Sequence, residues 1–171
     1  MSFKVYDDIL PELYSENIRR VLMSESNDIT DQKIQWYYNN DVVGNEDEPD
    51  TIDNFQFTHV FYESHRFISD FVFLIEPILE ILKPKALLRI KANMIPRSAD
   101  HFLTGYHTDY EFECKTAVYY VNTNNGYTLF KTGERVDAIQ GRLLTFDSLD
   151  EHSSVTTTDE KVRVVINFNY F

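Results

Sequence analysis

From Leu87 onward the chain alternates short apolar stretches with turn residues and shows no helical period. The segments "LLRIKANMI", "GYHTDYEF", "TAVYYVN", "GYTLF", "ERVDAIQ", "RLLTFD", "EHSSVTT" and "KVRVVINFNY" read as eight strands. Short strands at this spacing predict a sandwich, barrel or jelly roll. In the last segment Val162, Val164, Ile166 and Phe168 alternate with Lys161, Arg163, Val165 and Asn167, so one face is apolar and the other carries an arginine. The first 86 residues are mixed. In "YSENIRRVLMSES", Ile18, Val21 and Leu22 recur at helical spacing behind Ser15, a candidate N-cap, which predicts a short helix. "QWYYNN" and "FQFTHVFYES" read as aromatic strands, and residues 65–82 as a second, strongly apolar helix that Pro77 kinks or restarts. Between the aromatic strands, residues 39–54 ("NNDVVGNEDEPDTIDN") form a long acidic loop, a disordered segment or a lid.

Composition narrows this picture. A chain of 171 residues fits one domain. Its expected organisation is a helical and stranded support region over 1–86 and a strand core over 87–171. With 43% hydrophobic residues, including 13 Phe and 11 Tyr, it has ample apolar surface to form a core. The net charge of −12 repels a phosphate backbone, so nucleic acid is not an expected partner. Cys114 is the only cysteine, which rules out an intramolecular disulfide or a thiolate metal cluster and suits a reducing compartment. "MSFKVYDDIL" lacks a basic stretch followed by an apolar one, and "FISDFVFLIEPILEIL" is interrupted by Asp70, Glu76 and Pro77, so neither a secretory signal nor a membrane span is expected. The expected location is the cytoplasm.

Chemistry enters at "GYHTDYEF". In a strand, His107 and Asp109 share a face while Thr108 points away, which can give one metal two ligands. The H-x-D triplet alone is weak, since it arises by chance roughly 0.4 times in such a chain, and a pair on a surface strand is the plainer reading. His152 in "DEHSSV" sharpens it, because a closed double sheet can return the seventh segment to the second. Two histidines and a carboxylate make a metal-binding face that leaves coordination positions open, as in non-haem Fe(II) oxygenases. Arg163 either faces solvent or offers its two-pronged guanidinium to the carboxylate of a co-substrate beside the metal.

The ordered set H-T-D (107–109), "TAVYYVN" (116–122), "NNGYTLF" (124–130), "RLLTF" (142–146), His152 and "RVVINFNY" (163–170) resembles the Fe(II)/2-oxoglutarate-dependent dioxygenases, nearest to their prolyl hydroxylase branch and its small bacterial and phage members. The resemblance covers residues 87–171. It implies a mainly β protein, a double-stranded β-helix (jelly roll, cupin-like) with the N-terminal helices packed on one sheet. It implies Fe(II) held by His107, Asp109 and His152, and 2-oxoglutarate and O2 as co-substrates. Arg163 would pair with the distal carboxylate of 2-oxoglutarate, and Tyr120, otherwise a core aromatic, would hydrogen-bond the same carboxylate. The implied reaction is hydroxylation of a C–H bond with release of succinate and CO2. Two positions depart from the branch: Ile95 in "MIPRS" stands where a co-substrate tyrosine is common, and Arg163 stands where many members have lysine.

Two other classes stay open. A non-catalytic jelly roll could bind a ligand or partner with the same fold. A zinc hydrolase could use the same three ligands without needing Arg163 or Tyr120. For an oxygenase, the expected substrate is a prolyl or other side chain of a protein or peptide, or alternatively a small molecule such as a free amino acid. Residues 39–54 and "RSADHFLTG" (97–105) are the candidate covers of the site. Arg89, Lys91 and Asn93 alternate along the first core strand and could reach the cavity. His59 reads as a buried or rim histidine, His65 as a helix start and His101 as a loop residue.

Overall fold

The computed structural model describes residues 3–25, 33–43 and 51–171. Its strands, in chain order, are β1 (Lys4–Tyr6), β2 (Tyr37–Asn39), β3 (Gln56–Glu63), β4 (Arg66–Phe67), β5 (Leu87–Pro96), β6 (Lys115–Tyr120), β7 (Tyr127–Phe130), β8 (Arg135–Asp137), β9 (Leu143–Asp147), β10 (His152–Val155) and β11 (Val162–Tyr170). The larger sheet runs β1-β9-β6-β11-β5-β3-β2 with β4 beside β3; the smaller runs β10-β7-β8, and every pairing is antiparallel. Two antiparallel sheets arranged this way form a jelly-roll-like core. β1 to β4, from the first 86 residues, belong to the larger sheet. β1 is a three-residue, exposed edge strand, too short for its alternation to register in the sequence.

Alternation along β11 generates two cores. Val164, Ile166 and Phe168 join Ile90 and Ala92 of β5 and Ala117 and Tyr119 of β6 on the outer face, against Ile18, Leu22, Leu74, Ile75 and Ile78. These last five come from helix α1 (Glu12–Leu22), a 3-10 turn (Val72–Leu74) and helix α2 (Glu76–Leu82) with the residue before it. On the inner face, Val165 packs with Val118, Tyr120, Phe130, Val136, Leu144 and Phe146 between the sheets. Both faces of β11 are therefore buried, and polar residues placed on its inner face lie within the protein.

Three local readings change. α1 begins at Glu12 behind Pro11, so Ser15 lies inside the helix, where its hydroxyl accepts from Tyr119 Oη at 3.1 Å. The stretch 65–82 is not one helix: Ser64 and His65 take φ of 51° and 62°, turning the chain into the β3–β4 hairpin, and Pro77 occupies the first turn of α2, where its missing N–H is not needed. "GYHTDYEF" is not a regular strand. Gly105 has φ of 113°, and the bridges Leu103↔Val155 and His107↔His152 are four residues apart on one side and three on the other, a one-residue slip that interrupts the ladder. This irregular segment runs along the free edge of β10. No helix among the described residues is long and apolar enough to cross a membrane.

Candidate active site

β10 and the irregular segment bring the first group together. His107 and His152 exchange backbone hydrogen bonds of 3.0 Å, and their ring centroids are 4.5 Å apart. The Asp109 N–H donates to the Ser148 carbonyl at 3.2 Å, which holds the next turn in place. One ligand atom from each of His107, Asp109 and His152 lies within 4.8 Å of the others.

The surroundings of these three residues favour forms that could bind a metal. His107 and His152 direct Nδ1 toward the carbonyls of Gly105 (3.4 Å) and Asp150 (2.9 Å); a carbonyl only accepts, so Nδ1 carries a proton and Nε2 is the nitrogen left to face a metal. Burial, and next the neighbouring His152, lower the His107 pKa to about 4, so it is neutral near pH 7. Asp109 is pushed up by burial, its largest influence, but His152, a hydrogen bond from Thr116, His107 and Arg89 together bring it below its ordinary value. Its Oδ2 accepts from Thr116 Oγ1 at 2.6 Å and Asn169 Nδ2 at 3.0 Å. Thr116 and Asn169 went unnoticed in the sequence, since they lie on β6 and β11 and only the register Asn169↔Thr116 places both beside the carboxylate.

A cavity of about 160 Å³ opens from these ligands and reaches Arg163. Arg163 is 1% exposed, and among the described residues its Nη1 and Nη2 donate only to hydroxyls, to Ser154 Oγ at 3.3 Å and Thr128 Oγ1 at 3.1 Å, while Nε has no partner. Burial lowers its pKa, and Tyr120 partly offsets this. A buried guanidinium without a carboxylate is costly unless an anion completes it. Tyr120 is fully buried behind this point; its hydroxyl donates to Thr128 Oγ1 at 2.7 Å, and its ring centroid lies 5.6 Å from Arg163 Cζ. Tyr120 meets the pocket through Thr128 and is not part of its lining. Ile95, directly across from Arg163 on β5, gives the cavity an apolar wall.

Arg89, Lys91, Asn93 and Asn167 also line the cavity. Burial, then Arg89, push the Lys91 pKa down to about 8, against the attraction of Asp109 and Glu63. Of the candidate covers, Val42 and Val43 line the cavity, and residues 44–50 lie outside the described residues. Residues 97–105 contribute nothing to the lining and are tied to the β10 side, with Thr104 N–H donating to Ser154 O at 3.0 Å and Phe102 N–H to Thr156 Oγ1 at 2.8 Å. His59 is a core histidine: Nδ1 donates to Gln35 O at 2.8 Å, Nε2 meets Ser69 Oγ at 2.7 Å, and burial lowers its pKa.

The donor set fits iron: two imidazoles and a carboxylate on one face leave positions free for co-substrate and oxygen. The open Nε and the hydroxyl-only environment of Arg163 fit a dicarboxylate reaching from that metal. Solved structures share this fold. An oxidoreductase of the 2OG-Fe(II) oxygenase family from Burkholderia pseudomallei aligns at a TM-score of 0.67 and 8% identity, over 98% of this chain and 84% of that one. A prolyl hydroxylase from Trichoplax adhaerens, in complex with a hypoxia inducible factor oxygen degradation domain peptide fragment, aligns at 0.64 and 15% identity, over 99% and 83%. The viral collagen prolyl hydroxylase of Paramecium Bursaria Chlorella virus-1, in a 2OG complex, aligns at 0.62 and 9% identity, over 99% and 95%. No protein-family model and no curated protein matches the chain. The chain has the fold of the 2-oxoglutarate-dependent Fe(II) oxygenases.

Proposed function

We propose that this protein is an Fe(II)- and 2-oxoglutarate-dependent dioxygenase that hydroxylates an aliphatic C–H bond. The observation that carries the reading is Arg163, a buried cation with no carboxylate partner among the described residues, in the same cavity as His107, Asp109 and His152. A zinc hydrolase using the same three residues has no need of that charge. The prolyl hydroxylases among the structural neighbours support an amino-acid unit as the substrate, in a protein or peptide or free.

His107 and His152 present Nε2, and Asp109 an oxygen, as the three iron ligands. Arg163 takes the distal carboxylate of 2-oxoglutarate, with Thr128 and Ser154 fixing the guanidinium from behind. Tyr120 acts on that carboxylate through Thr128, as a positioning residue. Phe130 and Phe146, packed around the His152 ring, keep water from that side. Bound iron would supply O2 activation coupled to oxidation and decarboxylation of 2-oxoglutarate, dividing O2 between a substrate hydroxyl and succinate with CO2 released.

The test needs no substrate. Under anaerobic conditions, Fe(II) and 2-oxoglutarate should together produce the visible charge-transfer band of the chelate. His107→Ala should abolish it, and Arg163→Ala should require at least tenfold more 2-oxoglutarate. Absence of the band at saturating additions would sink the oxygenase reading.

A further inference from the structure

The cavity has a closed end and an open one. Arg163, Thr128 and Ile95, all buried, stand at the closed end. At the other, Arg89 and Lys91 are half-buried and share the lining with Thr108, its one exposed member among the described residues. β5 and β11 pair as Ile95↔Arg163, Lys91↔Asn167 and Arg89↔Asn169. At ~3.3 Å per residue, Lys91 lies about 13 Å along the strands from the Arg163 pair, and Arg89 two residues further. A five-carbon diacid has four C–C bonds of ~1.5 Å and spans about 6 Å, so a molecule seated on Arg163 ends well short of that level.

Neither cation is paired. Among the described residues Lys91 makes no hydrogen bond or ion pair, and Arg89 makes no ion pair. Arg89 Nη2 donates to Asn169 Oδ1 at 3.4 Å, its Nε is buried without a partner, and its Cζ lies 5.8 Å from the Tyr110 ring centroid. The carboxylates that attract Lys91 are Asp109, one of the three candidate ligands, and Glu63, which is exposed. Asn169 also donates to Asp109 Oδ2 at 3.0 Å, so Arg89 stands one amide group from that carboxylate. In the loaded site, a ferrous ion and the Arg163 guanidinium balance Asp109 and a dicarboxylate. No negative charge is left over for Arg89 and Lys91. Two partly desolvated cations side by side are costly until an anion joins them.

We propose that Arg89 and Lys91 form a subsite for the carboxylate or phosphate of a small anionic substrate, held so that a carbon a few bonds away reaches the metal. The assignment rests on the oxygenase reading above and names the substrate class for it. An acidic peptide is disfavoured, because its several charges meet the repulsion of a chain of net charge −12, whereas one small anion is drawn in by the two local cations. An uncharged prolyl unit leaves both cations unanswered.

The experiment follows the visible band of the anaerobic Fe(II)–2-oxoglutarate protein during titration with the twenty standard L-amino acids, straight-chain carboxylic acids of three to eight carbons, and phosphate monoesters of the matching alcohols. Each is run beside a counterpart without the anion, a carboxamide or an alcohol, and beside two capped proline-containing peptides, one neutral and one acidic. At least one small anion should perturb the band, with its counterpart needing at least tenfold higher concentration. The carboxylate and phosphate arms tell which anion the subsite takes. Lys91→Met should raise the midpoint for that anion at least tenfold and Lys91→Arg should raise it less, while the 2-oxoglutarate midpoint of Lys91→Met stays within twofold of wild type, which also reports a folded site. An intact band that no small anion perturbs overturns the assignment, as does a response to the counterparts or to either peptide at equal concentration. A Lys91→Met protein with an unchanged anion midpoint overturns it, and so does one that needs more 2-oxoglutarate, which would place Lys91 on the co-substrate. Absence of any band is a different failure, that of the oxygenase reading itself.

Discussion

His107 and His152 stand opposite each other in an isolated antiparallel bridge, each donating its backbone N–H to the other's carbonyl at 3.0 Å. The main chain thus aligns both imidazoles before any metal arrives, although residues 105–112 form no regular strand. Asp109 depends on side chains from other strands, and the first prediction concerns that difference.

Thr116→Val removes the 2.6 Å hydrogen bond to Asp109 Oδ2 and leaves Asn169 as the remaining side-chain donor. Such supporting partners are typically worth 10- to 100-fold in metal affinity. A Mn(II) titration should show a loss of about 10-fold or more, with thermal stability changed little. Unchanged affinity would mean that the backbone alone orients Asp109.

Gly126→Ala should weaken 2-oxoglutarate binding without touching the metal. A Cβ there would lie 2.8 Å from Arg163 Cδ, from Asn124 Oδ1 and from the Val155 carbonyl. Two of these are held in place, the carbonyl by the backbone and Asn124 Oδ1 by its bond from the Gly126 N–H, so Arg163 must shift. Overpacking of this kind costs about 1–3 kcal/mol. The expected result is a lower melting temperature and a several-fold higher 2-oxoglutarate midpoint, with Mn(II) affinity at the wild-type level.

Tyr120 and Thr128 should act as one unit. The Tyr120 hydroxyl donates to Thr128 Oγ1, which also accepts from Arg163 Nη2. Tyr120→Phe and Thr128→Val should each raise the 2-oxoglutarate midpoint, and the double variant should do little more than the worse single one. Additive effects in this cycle would show that Tyr120 contacts the co-substrate independently.

Metal-free protein should lose stability on mild acidification. The His107 pKa is about 4 when folded against an ordinary 6.5, so between these values the unfolded chain takes up a proton that the folded one refuses. Stability contributed by neutral His107 is complete above about pH 6.5 and declines as pH falls toward 4, by ~3 kcal/mol over the window. Asp109, held below its ordinary value, adds a loss of the same sign only at still lower pH. Urea unfolding of chelated protein at pH 7 and pH 4.5 measures this, and His107→Asn should flatten the difference.

The sequence by itself determined what local patterns encode. Alternation along residues 162–170 defined β11 and the face that carries Arg163, and the order of His107, Asp109 and His152 pointed to a candidate metal-binding set, which the fold brings together. It misjudged elements whose conformation depends on distant partners. Residues 65–82 carry apolar residues at helical spacing, yet two positive-φ residues and pairing with β3 make the start a hairpin. Only the tertiary structure decided that Thr116 and Asn169 serve Asp109, that Thr128 links Tyr120 to Arg163, and that Lys91 lines the same cavity as Arg163. Each depends on cross-strand register between segments far apart in the chain, and periodicity in one strand does not encode its partner. Burial is the other reason. A lysine or arginine on an alternating strand reads as solvated until a second sheet covers it, and the cost of burying that charge is what gives the cavity its demand for anions.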